Sequence, residues 1–178
     1  FDGDGNEDVF LSQNFFAVQN ETDRNDSGRG LVILGDGKGT FKSYPGHESG
    51  ILIYGEQRGA AFADFNMDGR TDVVVTQNGA QTKLYQNDQA KPGLRVRLRG
   101  PKENPFSFGA KISVQYNDGS YGPVREIQSG SGYWSQNSPV QVMGLNGNAT
   151  HIKIKWPDGS ESTEPLKGNN LTVTYSGS

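Results

Sequence analysis

The sequence predicts an all-β fold, and three observations carry that reading. The apolar runs are short and rich in β-branched and aromatic residues, and several alternate apolar with polar positions as half-buried strands do. Glycine accounts for 25 of the 178 residues, which suits many tight turns. No stretch sustains a 3.6-residue period, so almost no helix is expected.

Strands are expected, in order, over 8–11, 30–34, 51–54 and 72–76, then over 94–98, 111–116, 152–156 and 171–175. Between them lie the turn signals Asp36-Gly37, Asn117-Asp118-Gly119 and Pro157-Asp158-Gly159, which suit hairpins. Trp156, just before the last of these, reads as a strand-end core residue.

An internal repeat organises the first part. Residues 1–10 align with residues 65–74, so that Asp4 falls on Asp68 and Asp8 on Asp72. A repeat of that length, holding several strands, suggests the blades of a β-propeller. After Asn87 the chain turns polar through Asp88-Gln89-Ala90-Lys91-Pro92-Gly93, and no Asp/Gly loop recurs beyond it. The division expected is 1–90, partial propeller blades, and 91–178, a small β-sandwich or barrel-like domain.

Composition removes several functions. A net charge of −3 argues against nucleic acid, because phosphate binding needs a basic face. The lack of cysteine removes disulfides, thiolate zinc sites and thiol catalysis. No apolar run approaches the ~20 residues needed to cross a bilayer, so no membrane span is expected in this chain. The chain opens inside a motif and resembles a C-terminal piece of a longer polypeptide.

The repeated loops point to a metal. The second reads Asp64-Phe65-Asn66-Met67-Asp68-Gly69-Arg70-Thr71-Asp72. Asp64, Asn66, Asp68 and Asp72 put side-chain oxygens at positions 1, 3, 5 and 9. Gly69 permits the turn at position 6, and Arg70 at position 7 offers its backbone carbonyl. Alternate residues of a curled loop point inward, and calcium, a hard cation, takes six to eight oxygens. In the first loop Asp2, Asp4, Asn6 and Asp8 take positions 3, 5, 7 and 9. The EF-hand is a poorer match, since it needs a Glu at position 12, where Leu11 and Val75 stand. Magnesium prefers few protein ligands and several waters. The remaining alternative is that both loops are plain Asp/Gly turns closed by Asx hydrogen bonds.

No catalytic group stands out. His47 sits in a loop and His151 begins a strand. Ser129-Gly130-Ser131-Gly132 matches a nucleophile elbow only loosely and lacks the helix that the elbow needs. Its glycines suit a tight crossing between strands. Glu103, Glu126, Glu161 and Glu164 are scattered, as solvated charges are. Tyr133 and Trp134 read first as core or inter-domain packing and second as a sugar-stacking platform. Arg95, Arg97 and Arg99 alternate along one strand and read as a solvated outer face. Asn20, Asn25, Asn148 and Asn170 open Asn-x-Ser/Thr tripeptides, which matter only in a eukaryotic secretory setting.

Residues 1 to 88 resemble the FG-GAP/VCBS repeat family. The match lies in Ala61-Phe62-Ala63-Asp64-Phe65-Asn66-Met67-Asp68-Gly69-Arg70-Thr71-Asp72-Val73, in Gly35-Asp36-Gly37-Lys38-Gly39-Thr40-Phe41 and in Leu84-Tyr85-Gln86-Asn87. Residues 94–175 resemble the ASPIC/UnbV domain through Gly109-Ala110-Lys111-Ile112, Arg125-Glu126-Ile127, Ser129 to Asn137, Gly144-Leu145 and Trp156-Pro157-Asp158-Gly159. That pairing is similar to the cartilage acidic protein family and its bacterial relatives. The resemblance implies a secreted or cell-surface, calcium-associated, non-catalytic protein with an adhesion or matrix role. Propellers close with about four to eight blades, whereas this chain holds about one and a half.

The function expected is a non-enzymatic extracellular calcium-binding structural or adhesion module, with a protein or glycan ligand at the cell surface or matrix. Self-association into a filament or oligomer is one alternative, since open blades leave edges to cover. A carbohydrate-binding accessory module of a polysaccharide-active protein is the other.

Overall fold

The strongest strand former in the chain, Val73-Val74-Val75, lies at the centre of a sheet in the computed structural model, which describes residues 1–23 and 28–177. The Asn25 tripeptide lies outside the described residues. Thirteen strands and one helical turn are assigned among those residues.

Residues 1–90 form two three-stranded antiparallel sheets. The first takes β1 (Val9–Leu11), β2 (Leu31–Gly35) and β3 (Phe41–Tyr44) in that order. Asp36 closes the β2–β3 hairpin by accepting from Lys38 N at 2.7 Å and Thr40 N at 3.0 Å, so the Asp36-Gly37 turn forms as expected. A single helical turn, α1 (Gly46–Ser49), follows. The second sheet takes β4 (Glu56–Ala63), β5 (Asp72–Asn78) and β6 (Ala80–Tyr85). Propeller blades are usually four-stranded, and each of these sheets has three strands. Between them Val32, Ile51, Ile53, Val73 and Val75 form one buried cluster, with Phe10 and Phe62 meeting edge to face at 6.2 Å.

The 51–54 segment differs from expectation. Ile51 and Ile53 are buried, but the segment belongs to no ladder. Its alternation reflects one face laid on a core, while its backbone makes only isolated bonds such as Ile53 N to Arg29 O at 2.9 Å.

Residues 91–178 contribute two further sheets around one core. One is β10 (Gln141–Met143), β7 (Leu94–Arg99) and β13 (Asn170–Thr174), in which β7 and β13 run parallel. The other is β12 (Glu161–Pro165), β11 (Ala149–Lys155), β8 (Lys111–Tyr116) and β9 (Arg125–Glu126). Leu94, Val96 and Leu98 from the first sheet meet Ile112, Val114, Ile152 and Ile154 from the second, which makes a small sandwich. Pro157-Asp158-Gly159 joins β11 to β12. Trp156 is buried at the end of β11, with Nε1 donating to Ser162 Oγ at 3.0 Å and its ring edge-on to Tyr175 at 5.2 Å. Tyr175 donates to Asp158 at 2.6 Å, and with the Ser160 hydroxyl and N–H it holds the Asp158 carboxyl below its ordinary value.

The two regions meet through main-chain atoms as well as side chains. Lys91 N donates to Asp2 O at 3.1 Å, Gly93 N to Gly69 O at 2.7 Å and Ser138 N to Phe62 O at 2.8 Å. Glycine is required at this seam by close approach. A Cβ on Gly3 would stand 2.3 Å from Lys91 O, one on Gly144 2.7 Å from Gly5 N, and one on Gly59 2.8 Å from Trp134 O.

Candidate metal centre

Both Asp/Gly loops end at this seam. The first, 1–8, leads into β1, and the second, 64–72, joins β4 to β5. Their backbones match position by position. Gly3 and Met67 both take positive φ, at 78° and 64°, and Gly5 and Gly69 do so at 93° and 82°. The side-chain bonds match as well. Asp2 accepts from Asp4 N at 3.0 Å where Asn66 accepts from Asp68 N at 3.1 Å. Asp4 accepts from Asn6 N at 2.8 Å where Asp68 accepts from Arg70 N at 2.9 Å. Asp8 pairs with the Phe1 terminal ammonium where Asp72 accepts from the Phe65 main-chain N–H. The sequence repeat is thus a repeat of individual hydrogen bonds.

The second loop is the more completely built. Asp64, 1% exposed, accepts from Asp68 N at 3.0 Å through Oδ1 and from Gly69 N at 2.9 Å through Oδ2. Asp72, 2% exposed, accepts from Phe65 N at 2.8 Å through Oδ2 and from Asn87 N at 2.8 Å through Oδ1. Asp68 lies nearer solvent. Burial opposes its ionisation, but the Asn66 amide, the Arg70 N–H and the Arg70 guanidinium together hold its carboxyl below the ordinary value.

Two cations stand on the loop. Arg70 reaches Asp68 with Nη1 at 3.2 Å and donates through Nε to Ala90 O at 2.7 Å. Its side chain therefore fastens the loop to the linker, a role beyond the backbone carbonyl expected of it. Arg95 places Nε 2.6 Å from Asp64 Oδ2 and is only 12% exposed. The outer face expected for Arg95, Arg97 and Arg99 is thus divided. Arg97 and Arg99 are exposed, while Arg95 is covered by the 64–72 loop. Alternation along β7 gave the correct side of the strand, and nothing in it signalled that another loop lies there.

The expected oxygen donors are gathered in two loops, but their carboxylates are turned to N–H groups and guanidinium. Among the described residues no three of His, Asp and Glu converge as a metal-binding group. The donor set itself, three carboxylates and an amide oxygen in the second loop and three carboxylates and an amide in the first, is the kind a hard cation takes. A largely polar cleft of about 420 Å³ opens beside them, lined by Asn6, Asp8, Asp64, Arg125, Asn137 and Gln141 among others.

Two residues here escaped the sequence reading. Asn87 donates from Nδ2 to Phe1 O at 2.7 Å and to Thr71 O at 3.3 Å, and accepts from Ala90 N at 3.0 Å, so it ties both repeats to the linker. Arg125 meets Glu7 at 2.6 Å across the seam. The Asn of Gln86-Asn87 was visible as part of a closing-strand pattern. Arg125 stood in the Arg125-Glu126-Ile127 pattern, which gave no sign of its partner Glu7.

Tyr133 and Trp134 are not packed inside. They are 60% and 80% exposed and stack on each other at 5.0 Å with 11° between their planes. Inter-domain packing at this point is made by their carbonyls against Gly59, and the rings face outward. The segment after them crosses onto the other region through Asn137 Oδ1, which accepts from Phe62 N at 3.0 Å.

Comparison with known proteins gives two family matches, an FG-GAP-like repeat over residues 1–90 and an ASPIC and UnbV region over residues 100–177. Cartilage acidic protein 1 of Xenopus tropicalis is 31% identical over 117 residues, covering 63% of this chain and 18% of that protein. Cartilage acidic protein 1 of Mus musculus is 31% identical over 111 residues, covering 59% of this chain and 17% of that protein, and its Homo sapiens counterpart is also 31% identical over 111 residues. The chain therefore matches only 16–18% of the length of these relatives.

Proposed function

The chain belongs to the FG-GAP-like repeat family, with an ASPIC and UnbV region after the repeats, and from that premise we propose that it is a non-enzymatic calcium-binding structural module of an extracellular protein. Its domains on this reading are 1–90, blades of a propeller, and 91–178. The observation that carries the proposal is the bond-for-bond match between the two loops, each presenting only oxygen donors from its alternate side chains. These are Asx bonds, which close plain turns as well. Two loops with the same successive bonds and the same left-handed positions favour a shared ligand-binding purpose. Relatives bearing the name cartilage acidic protein support a matrix-type setting.

In the second loop the calcium would be held by side-chain oxygens of Asp64, Asn66, Asp68 and Asp72 and by the carbonyl of Arg70. In the first, Asp2, Asp4, Asn6 and Asp8 would serve. Bound there, the ion would neutralise carboxylates that otherwise repel one another and so stiffen each loop. Isothermal titration on the chelator-stripped chain tests this. Extracellular calcium modules bind with Kd of about 10⁻⁴–10⁻³ M. About 5 mM calcium should then add roughly 1–2 kcal/mol to stability by mass action. Asp68→Ala should abolish binding at the second loop. An unchanged heat signal in the variant, or an unfolding curve indifferent to calcium, would refute the assignment.

A second reading concerns the partner. The stacked Tyr133–Trp134 pair, held outward on a loop clipped at both ends, favours a glycan ligand over a protein one, because an exposed indole face suits the apolar face of a sugar ring. Titrating Trp134 fluorescence with acidic and neutral polysaccharides should give a saturable change, and Trp134→Ala should weaken binding by at least about tenfold, as loss of a stacking contact does. A flat response across the panel would remove this reading.

A further inference from the structure

The Arg95 guanidinium is the positive charge that faces position 1 of the second loop. It lies 2.6 Å from the Asp64 carboxylate, 12% exposed against a partner that is 1% exposed. Yet its Nε finds no aligned hydrogen-bond acceptor. The contact is therefore held by charge more than by direction. A buried arginine kept for structure alone normally directs its fork at a carboxylate. Asp64 is already served by two N–H donors, Asp68 and Gly69, so what the arginine adds to that carboxylate is positive charge.

Position 1 of the loop is thus filled by a cation that belongs to the protein. A divalent ion drawing on Asp64 Oδ2 would stand within a few ångströms of that guanidinium. Like charges so close repel strongly in a partly buried site. Calcium and Arg95 therefore compete for one carboxylate. Arg95 stands near the start of β7, the first strand after the linker. Its backbone N donates to Asn169 O at 2.9 Å, and its Nη1 reaches Asn170 Oδ1 at 3.4 Å while Nε faces Asp64.

We infer that Arg95 is a built-in competitor for the cation of the 64–72 loop, holding that loop closed without metal and setting its calcium affinity low. The inference rests on the calcium reading above. In the metal-free protein the arginine ties residues 91–178 to the second repeat. Loading the loop exchanges that tie for a metal, so occupancy and docking are linked, each weakening the other by the same factor.

The test is calcium titration by calorimetry, with parallel thermal unfolding, on the full chain as wild type and as Arg95→Met. The variant should be less stable than wild type in chelator, yet bind calcium about tenfold more tightly and show the larger rise in Tm on calcium addition. In Arg95→Met with Asp68→Ala the gain should vanish, which places it at this loop. Arg95→Gln, uncharged but still polar against Asp64, should show the same direction and serves if the methionine variant does not fold. Calcium binding confined to the uncharged variants would also support the inference, since the wild-type latch would then be closed at the concentrations used. Wild type binding as tightly as or more tightly than both variants overturns it while leaving the calcium reading intact. Binding by none of the three chains removes the calcium reading and the inference with it.

Discussion

Asp72→Ala should lower the free energy of unfolding by about 3–4 kcal/mol even with chelator present. The carboxylate is buried, and each oxygen accepts one main-chain N–H, from Phe65 and from Asn87. Hydrogen bonds to a charged group contribute roughly 1.5–3 kcal/mol apiece, and alanine takes the acceptor from both part-buried bonds. The Phe65 bond fixes the start of the loop, and the Asn87 bond fixes the strand end that leads to the linker. Urea denaturation measures the loss directly. A change under about 1 kcal/mol would mean that both N–H groups find water or other partners in place of the carboxylate. The size of this effect also governs how the metal should be tested. A variant at Asp72 would lose calcium through unfolding whatever the loop binds, so the informative substitution is at Asp68, whose side chain is a quarter exposed.

Ile154→Ala should cost about 3 kcal/mol, within the usual 2–5 kcal/mol for such a truncation in a tight core. Ile154 is fully buried in β11, paired across the sheet with Ile112 and facing the β7 side chains. The cluster it belongs to shares no residue with the one around Val75. Its loss should therefore appear first in Trp156, which is buried in that same cluster, while exposed Trp134 reports little. Chemical denaturation followed by tryptophan emission should show the midpoint fall. An unchanged midpoint would mean that the sandwich core is loosely packed at this point.

What could be read in advance depended on whether a local pattern had a local cause. β5, β7, β8 and β11 were legible because alternating or β-branched runs such as Leu94-Arg95-Val96-Arg97-Leu98 reflect a pleated, half-buried surface. The hairpin at Asp36-Gly37 was legible because the aspartate caps its own turn. β4 was not. Glu56-Gln57-Arg58-Gly59-Ala60-Ala61-Phe62-Ala63 has little strand propensity, and it is extended because Val73, Val74 and Val75 pair with it. The 51–54 segment failed in the opposite sense, since burial of Ile51 and Ile53 produced strand-like alternation without a ladder. In the candidate site, the ligand-type residues and their repeat were legible as spacing. The two arginines were not, because the partners of Arg95 and Arg125 lie 31 and 118 residues away, at Asp64 and Glu7. Tyr133 and Trp134 were misplaced for a simpler reason: aromatic content argues for burial on average, and these rings are held out by a backbone in which Trp134 takes a φ of 50°.

The seam between the two regions has an evolutionary consequence. Where Gly3, Gly59 and Gly144 bring main chain against main chain, the fit is set by the absence of side chains. Such a joint holds little sequence information. Drift can rewrite the exposed aromatic pair without changing this fit, but any of these three positions that gains a methyl group forces the joint apart. Lineages that have exchanged one ligand for another should therefore keep the joint as a sparse glycine signature. Modules bearing it could be recombined among longer polypeptides with their orientation intact.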